Sequence, residues 1–281
     1  MTTRRSVLCV PASEPAKVAK ALAFDVDEVV VDLEDAVAPG RKTEARAALG
    51  ALSVRERGSI AVRVNCPGSP WLLQDLAAVV ANDAITSIVL PKVDSGGDIA
   101  AVERELARLE KERGRGAAVE IQALIESARG IGDVRAIATA SVRVVSLIIG
   151  YADLGASLGR RAEAPWLFAQ DAVVLAARIA GIQAVDGPLL TVHADEALEM
   201  AASTAESLGF DGKWVIHPRQ APVVQAAFTP AAEDVEEAQG LLAAMDEAVA
   251  DGRGAVEWRG RMLDEAVAVQ ARRVLARTAA S

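Results

Sequence analysis

Three short segments of this chain, DLEDA (Asp32 to Ala36), VRVN (Val62 to Asn65) and IESARG (Ile125 to Gly130), place polar residues just after an apolar run. Side chains at the carboxyl ends of successive parallel strands converge on one face, so Asp32, Glu34, Arg63 and Glu126 are candidates for a single pocket. Asp153 follows a further apolar run in IIGYADLGASLG. Carboxylates such as Glu126 and Asp153 on adjacent strand ends suit a hard cation such as Mg²⁺, with the other coordination positions left to water and substrate. Arg63 can grip a carboxylate through two parallel hydrogen bonds, which a lysine cannot reproduce.

Each of these residues also has a structural reading. Acidic side chains stabilise helix N-termini, and this is the favoured reading for Asp35. For Glu34 the capping and functional readings stand side by side, as they do for Glu126 and Asp153. Arg63 has an internal salt bridge to the Asp32–Asp35 cluster as its counterpart, and both roles are compatible.

The elements that must position these residues are eight short, mostly β-branched runs bounded by turns. They are Val7 to Val10, Glu28 to Leu33, Ile60 to Val64, Ser87 to Leu90, Glu120 to Ile125, Arg143 to Ile149, Gln183 to Asp186 and Lys213 to Ile216. Between most of them lie alanine-rich stretches of helical spacing: Ala16 to Ala23, Leu72 to Ala81, Ile99 to Arg113, Ile131 to Thr139, Ala169 to Ala180 and Asp195 to Leu208. This alternation predicts an α/β fold, a closed (β/α)8 TIM barrel over residues 1–228. An open doubly wound sheet would more often carry a glycine-rich turn after its first strand, and no G-x-G-x-x-G or G-x-x-x-x-G-K-[ST] occurs. Residues 229–281 form a C-terminal helical extension, with helices expected at Glu233 to Ala250 and Met262 to Arg277 and a turn at Asp251 to Gly254. It is either a brace on its own barrel or an arm or lid reaching a neighbouring subunit.

A net charge of −9 argues against nucleic-acid binding, which needs a positive field. Cys9 and Cys66 are too few for a disulfide framework. His193 and His217 have no third imidazole or thiol nearby, and no G-x-S-x-G elbow supports serine chemistry. The apolar run Val7 to Val10 is too short for a signal-peptide core, and no run approaches the ~20 residues that span a bilayer. A cytoplasmic protein with no membrane partner is expected.

Beyond single residues, the ordered segments RSVLCVPASEP, VVVDLEDAVAP with Lys42, VRVNCPGSPW, IVLPKVDS, IESARGI, GYADLGASLG, AARIAGIQAVDGP, LGFDGKWVIHPRQ, FTP and GRMLDEA resemble the citrate lyase β-subunit-like proteins of the HpcH/HpaI aldolase superfamily. That group includes malyl-CoA and citramalyl-CoA lyases. The resemblance covers nearly the whole chain. It implies a TIM barrel, a homotrimer, Mg²⁺ as cofactor, and reversible carbon–carbon cleavage of a 3-hydroxyacyl-CoA thioester to an acyl-CoA and a keto acid. Carried over by position, Glu126 and Asp153 resemble the metal ligands, with Glu126 also facing substrate, and Arg63 resembles the residue that binds substrate oxygens. Glu34 resembles an acid that steadies Arg63 or a water on the metal. Lys20 and Lys42 resemble contacts to the CoA portion, and Asp264 in GRMLDEA resembles a proton-transfer acid supplied by a neighbouring subunit.

The chain also departs from the family pattern. The first loop commonly reads V-P-G-[DS]-R-P, whereas here Glu14 stands in place of the basic residue, with Arg4, Arg5, Lys17 or Lys20 as candidates to compensate it. Gln170 stands where an arginine is common and Asp94 where a glutamate is. Glu14 keeps two other readings open: an aldolase acting on free hydroxy-keto acids, and a non-catalytic ligand-binding homologue.

Overall fold

Side-chain alternation along the strands sorts this chain into nested layers, as seen in a computed structural model describing residues 3–161, 164–252 and 254–278. The strands are β1 (Ser6–Pro11), β2 (Glu28–Asp32), β3 (Ser59–Arg63), β4 (Ser87–Leu90), β5 (Glu120–Ile125), β6 (Val144–Ile149), β7 (Gln183–Asp186) and β8 (Gly212–Val215). They pair in sequence order, all parallel, and β8 closes onto β1. The expected TIM barrel is thus what the chain forms, and the β-branched runs end within two residues of where the sequence places them.

Inside the barrel, one residue from each strand, Val7, Val30, Ala61, Val89, Leu124, Ile148, Val185 and Trp214, forms an apolar middle layer. Below it, at the amino ends of the strands, lies a polar layer. Arg4 bonds Glu28, Glu120 and Gln183 there, and Gln122 links Glu28, Ser87 and Ser146. Burying these groups would be costly unless they satisfied one another, as they do. Alternation then returns Asp32, Arg63 and Glu126 to the inward face at the carboxyl ends.

The outward faces of the strands pack against α1 (Pro15–Leu22), α2 (Lys42–Ala48), α3 (Leu72–Val80), α4 (Gly96–Arg113), α5 (Ala128–Gly132), α6 (Val134–Ala138), α7 (Tyr151–Leu158), α8 (Leu167–Ala180), α9 (Glu196–Ser207) and α10 (Ala221–Phe228). The single helix expected over Ile131 to Thr139 is broken at Asp133 into α5 and α6. Helix α7 was not read from the sequence, because the glycines at 150, 155 and 159 interrupt its pattern.

After the barrel come α11 (Ala232–Ala250), β9 (Val256–Trp258), β10 (Arg261–Leu263) and α12 (Glu265–Thr278). Met262 and Leu263 therefore belong to a strand rather than to the expected helix. They lie in a tight hairpin, whose turn residues Arg259 and Gly260 both have positive φ (49° and 77°). The extension has its own small core around Leu241, Met245 and Leu263. Arg277 of α12 pairs with Glu206 and donates to the Phe210 carbonyl, so within one chain the extension braces its own barrel.

Candidate active site

Asp32 ends β2 fully buried, and its carboxylate organises the mouth of the barrel. Arg63, at the end of β3, donates Nε to one oxygen at 2.8 Å and Nη2 to the other at 2.6 Å. The backbone N–H groups of Glu34 and Ala36 donate to the same carboxylate at 2.8 and 3.1 Å. The internal salt bridge considered for Arg63 is therefore present, and it is bidentate. Burial would lower the guanidinium pKa, but the hydrogen bonds and charge of Asp32 hold it well above its ordinary value. Asp35 caps nothing, because the next α-helix begins only at Lys42; it lies exposed in a turn, 3.5 Å from Lys92 Nζ.

Glu34 is buried beside this pair. Its Oε1 accepts from Lys92 Nζ, and Arg63 Nη1 approaches Oε2 to 3.3 Å. That approach lacks hydrogen-bond alignment, so Oε2 is a buried oxygen without a hydrogen-bond partner. Burial pushes this carboxyl up, with Arg63 and Lys92 pulling the other way.

Lys92 is the site residue that sequence reasoning missed. It follows β4 in PKVDS, and it adopts φ 52°, a left-handed conformation that is rare for a lysine. Its backbone N–H donates to Glu126 Oε1 at 2.8 Å while its ammonium holds Glu34. One residue thus ties the ends of β2 and β5. The available signal was a polar side chain directly after a strand, the same rule that picked out Arg63.

Glu126, 4 % exposed, points into the mouth from the end of β5. Gly150 makes room for it: a Cβ there would lie 2.6 Å from Glu126 Oε2. Burial pushes the Glu126 carboxyl up to about 8, and the charges of Asp153 and Glu34 add to that while the Lys92 N–H opposes it. Asp153 sits in the first turn of α7, directly after β6. Among the described residues no three His, Cys, Asp or Glu side chains cluster as a complete metal cage. Two carboxylates with the other positions left to water and substrate is the usual arrangement for Mg²⁺, and a buried carboxyl starved of positive charge beside a second acid fits such a cation.

The other expected residues are placed as follows. Lys20 is exposed on α1. Lys42 is 6 % exposed, and its ammonium donates to the Leu33 carbonyl, the Glu34 carbonyl and Asn65 Oδ1 at 2.8, 2.9 and 2.7 Å. All three of its N–H groups are taken, so Lys42 holds the Asp32 loop in place and has no donor left for a CoA phosphate. Asp264 is exposed at the start of α12, where its Oδ1 accepts from the Val267 N–H. Glu14 lies 3.8 Å from Arg41, whose guanidinium also holds the Ser13 carbonyl. Arg4 and Arg5 do not compensate Glu14, since Arg4 closes the opposite end of the barrel and Arg5 pairs with Asp27. His217 caps a short 3₁₀ turn by accepting from the Arg219 N–H. Asp94 bonds Ser127, next to Glu126, and Gln170 bonds Tyr151, two residues before Asp153. The departures at Asp94 and Gln170 thus bond residues one and two positions from the carboxylate pair, whereas Glu14 pairs with Arg41 away from it.

Comparison with known proteins finds similarity along nearly the whole chain. The L-malyl-CoA/beta-methylmalyl-CoA lyase of Cereibacter sphaeroides (strain ATCC 17025 / ATH 2.4.3) is 36% identical over an alignment spanning 93% of this chain and 90% of that protein. The citrate lyase subunit beta of Escherichia coli (strain K12) is also 36% identical, over 98% of this chain and 93% of its own length. The crystal structure of Mycobacterium tuberculosis CitE in complex with magnesium, acetoacetate and coenzyme A superposes with a TM-score of 0.81 at 31% identity, covering 99% of this chain and 98% of that one. Residues 5–218 match the profile of one family along the whole barrel, and the chain belongs to that family, HpcH/HpaI aldolase/citrate lyase.

Proposed function

We propose that this chain is a Mg²⁺-dependent carbon–carbon lyase that cleaves, or forms, a 3-hydroxyacyl-CoA thioester of the malyl-, citramalyl- or citryl-CoA type. Its products are an acyl-CoA and a keto acid. The observation that carries the reading is the convergence of the Asp32–Arg63–Glu34–Lys92 cluster with Glu126 and Asp153 at the carboxyl end of a barrel from this family.

Glu126 and Asp153 would hold the cation. When bound, it supplies Lewis-acid polarisation of the oxygens at the bond being cleaved. Asp32 fixes the guanidinium of Arg63 through two of its nitrogens, which leaves Nη1 to bind a substrate oxygen as charge develops there. The Glu34 carboxylate lies 3.3 Å from Nη1 and is itself restrained by Lys92, so the clamp is preorganised before substrate arrives. Cleavage passes the hydroxyl proton to water at the mouth, forms the carbonyl of the keto acid and breaks the carbon–carbon bond, whose electron pair leaves as a thioester enolate that must gain a proton. In the synthetic direction a base takes that proton from the acyl-CoA methyl group. Asp264, exposed on the extension of a neighbouring copy, fills this role, which calls for a homo-oligomer, a trimer by analogy. Lys20 on α1 is the exposed cation for the CoA portion. The unpaired thiols of Cys9 and Cys66 agree with a reducing compartment, the cytoplasm. No described helix is long and apolar enough to cross a membrane.

The test is to incubate the protein with Mg²⁺ and each of malyl-CoA, citramalyl-CoA and citryl-CoA, and to follow free keto acid. Product that requires metal and disappears in Glu126→Ala is the expected result. No turnover of any thioester, together with no CoA binding by calorimetry, would overturn the reading. The ion pair of Glu14 with Arg41 leaves the first loop less basic than the family pattern, so free hydroxy-keto acids belong in the same assay as an alternative substrate class.

A further inference from the structure

The Asp153 side chain makes no hydrogen bond or ion pair among the described residues. Its place is set by α7 alone, a short helix whose N-cap is Gly150 and which has no side-chain cap. The first residue of α7, Tyr151, is held far more tightly. Its hydroxyl donates to Asp186 Oδ1 and accepts from Gln170 Nε2 at 2.9 Å. Asp186 is in turn paired through Oδ2 with Lys213 Nζ, and that ammonium also donates to the Gly187 carbonyl at 2.7 Å. Asp186 and Lys213 are register partners on β7 and β8, pointing outward beneath the helices, each with a side chain only 3% exposed. The Tyr151 ring is gripped as well. Trp166 lies 5.6 Å away between ring centroids, and a Cβ at Gly187 would come within 2.8 Å of the ring.

Among the described residues this cluster shares no hydrogen bond or ion pair with the Arg63 clamp. A buried ion pair of this kind adds little net stability compared with well-packed apolar side chains, so its position calls for another account. What it does fix is the hydroxyl of a residue two positions before Asp153, in the same first turn. We infer that Lys213, Asp186, Gln170 and Tyr151 form a positioning relay, built on the outside of the barrel wall, that sets the first turn of α7 and so places the Asp153 carboxylate to share a divalent cation with Glu126. The inference rests on the metal assignment proposed above. It makes Tyr151 a positioning residue acting through the backbone of α7, and gives Gln170, where the family often has arginine, a role through Tyr151.

Groups that orient a metal ligand without touching the metal change affinity by about 10- to 100-fold when removed. The probe is Mn²⁺, titrated into the protein without substrate and followed by electron paramagnetic resonance of the free ion. Tyr151→Phe keeps the ring and its packing while removing the hydroxyl, and Asp186 keeps its Lys213 partner. A rise of about tenfold or more in the Mn²⁺ dissociation constant is expected. Glu126→Gln, measured alongside, is expected to abolish binding. Tyr151→Phe that binds Mn²⁺ within about twofold of wild type, with Glu126→Gln inactive in binding, would overturn the relay and leave the metal assignment standing. Wild-type binding by Glu126→Gln would remove the assignment and the relay together. Gln170→Leu withdraws the second partner of the phenol, and a weakening in the same direction is required of it, including if Tyr151→Phe fails to fold. A purely structural role would lower the melting temperature of either variant without moving the dissociation constant.

Discussion

Lys42 offers a sharp test because its two readings differ in what the substitution disturbs. Lys42→Met keeps an unbranched stem of similar bulk in the buried channel beside Trp71, over whose ring the ammonium sits at 5.2 Å. It removes the donors to the Leu33 carbonyl, the Glu34 carbonyl and Asn65 Oδ1. A buried acceptor that loses its partner costs about 1–3 kcal/mol. Part of that is recovered because no ammonium has to be buried, so the lower end applies, about 1 kcal/mol for each of the three acceptors and about 3 kcal/mol in all. At roughly 2–4 °C per kcal/mol for a chain of this size, the melting midpoint falls by roughly 6–12 °C. The released segment is the one that carries Glu34 and backs Arg63, so kcat falls while KM for the CoA thioester stays within about threefold, the pattern of lost preorganisation rather than lost binding. Calorimetric melting and initial rates on the same preparation give both quantities. An unchanged midpoint with KM raised tenfold would refute the reasoning and return Lys42 to the CoA site.

Two further outcomes follow from groups away from the clamp. Arg4→Met leaves Glu28 buried without its cation, for a loss of about 3–5 kcal/mol by denaturant unfolding, while kcat is retained because the mouth is untouched; a stability within 1 kcal/mol of wild type would contradict the account of the lower layer. Cys9, facing the apolar middle layer, has its thiol pushed by burial from 9.0 up to about 12, so a disulfide reagent at pH 8 should label only Cys66 in the native chain and both thiols after unfolding. The sign for stability follows from linkage: the unfolded thiol ionises first, so this group contributes nothing adverse below pH 9 and destabilises the fold as pH rises from 9 to about 12. Cys9→Ser should flatten that alkaline limb, as seen in melting curves across the range.

The barrel was legible in the sequence because strands buried on both faces read as continuous β-branched runs, Val29 to Val31 being one example, with turns on either side. Arg63 and Glu126 could be found because each directly ends such a run. The failures have a common cause: they depend on partners that are distant along the chain. Asp35 looks like a cap until the backbone is seen to run on to Lys42 before turning helical. Lys42 looks like a free cation until Leu33, Glu34 and Asn65 close around it. Lys92 stands after a strand like Arg63 and Glu126, but its role in tying two strand ends shows only through Glu34 and Glu126, which come from other strands. Arg259 and Gly260 carried a local turn signal, but strands of three residues on either side were too short to register as a hairpin.

The layering of the barrel interior also decides how protons travel. The ring of apolar side chains from Val7 to Trp214 separates the charged mouth from the Arg4 network, and among the described residues no ionisable group bridges it. A proton gained or lost by Glu34, Glu126 or a bound substrate therefore has a single route, through the open mouth. The reaction centre is a cul-de-sac: whatever closes over the mouth, substrate or a neighbouring chain, also closes its only exchange with bulk water.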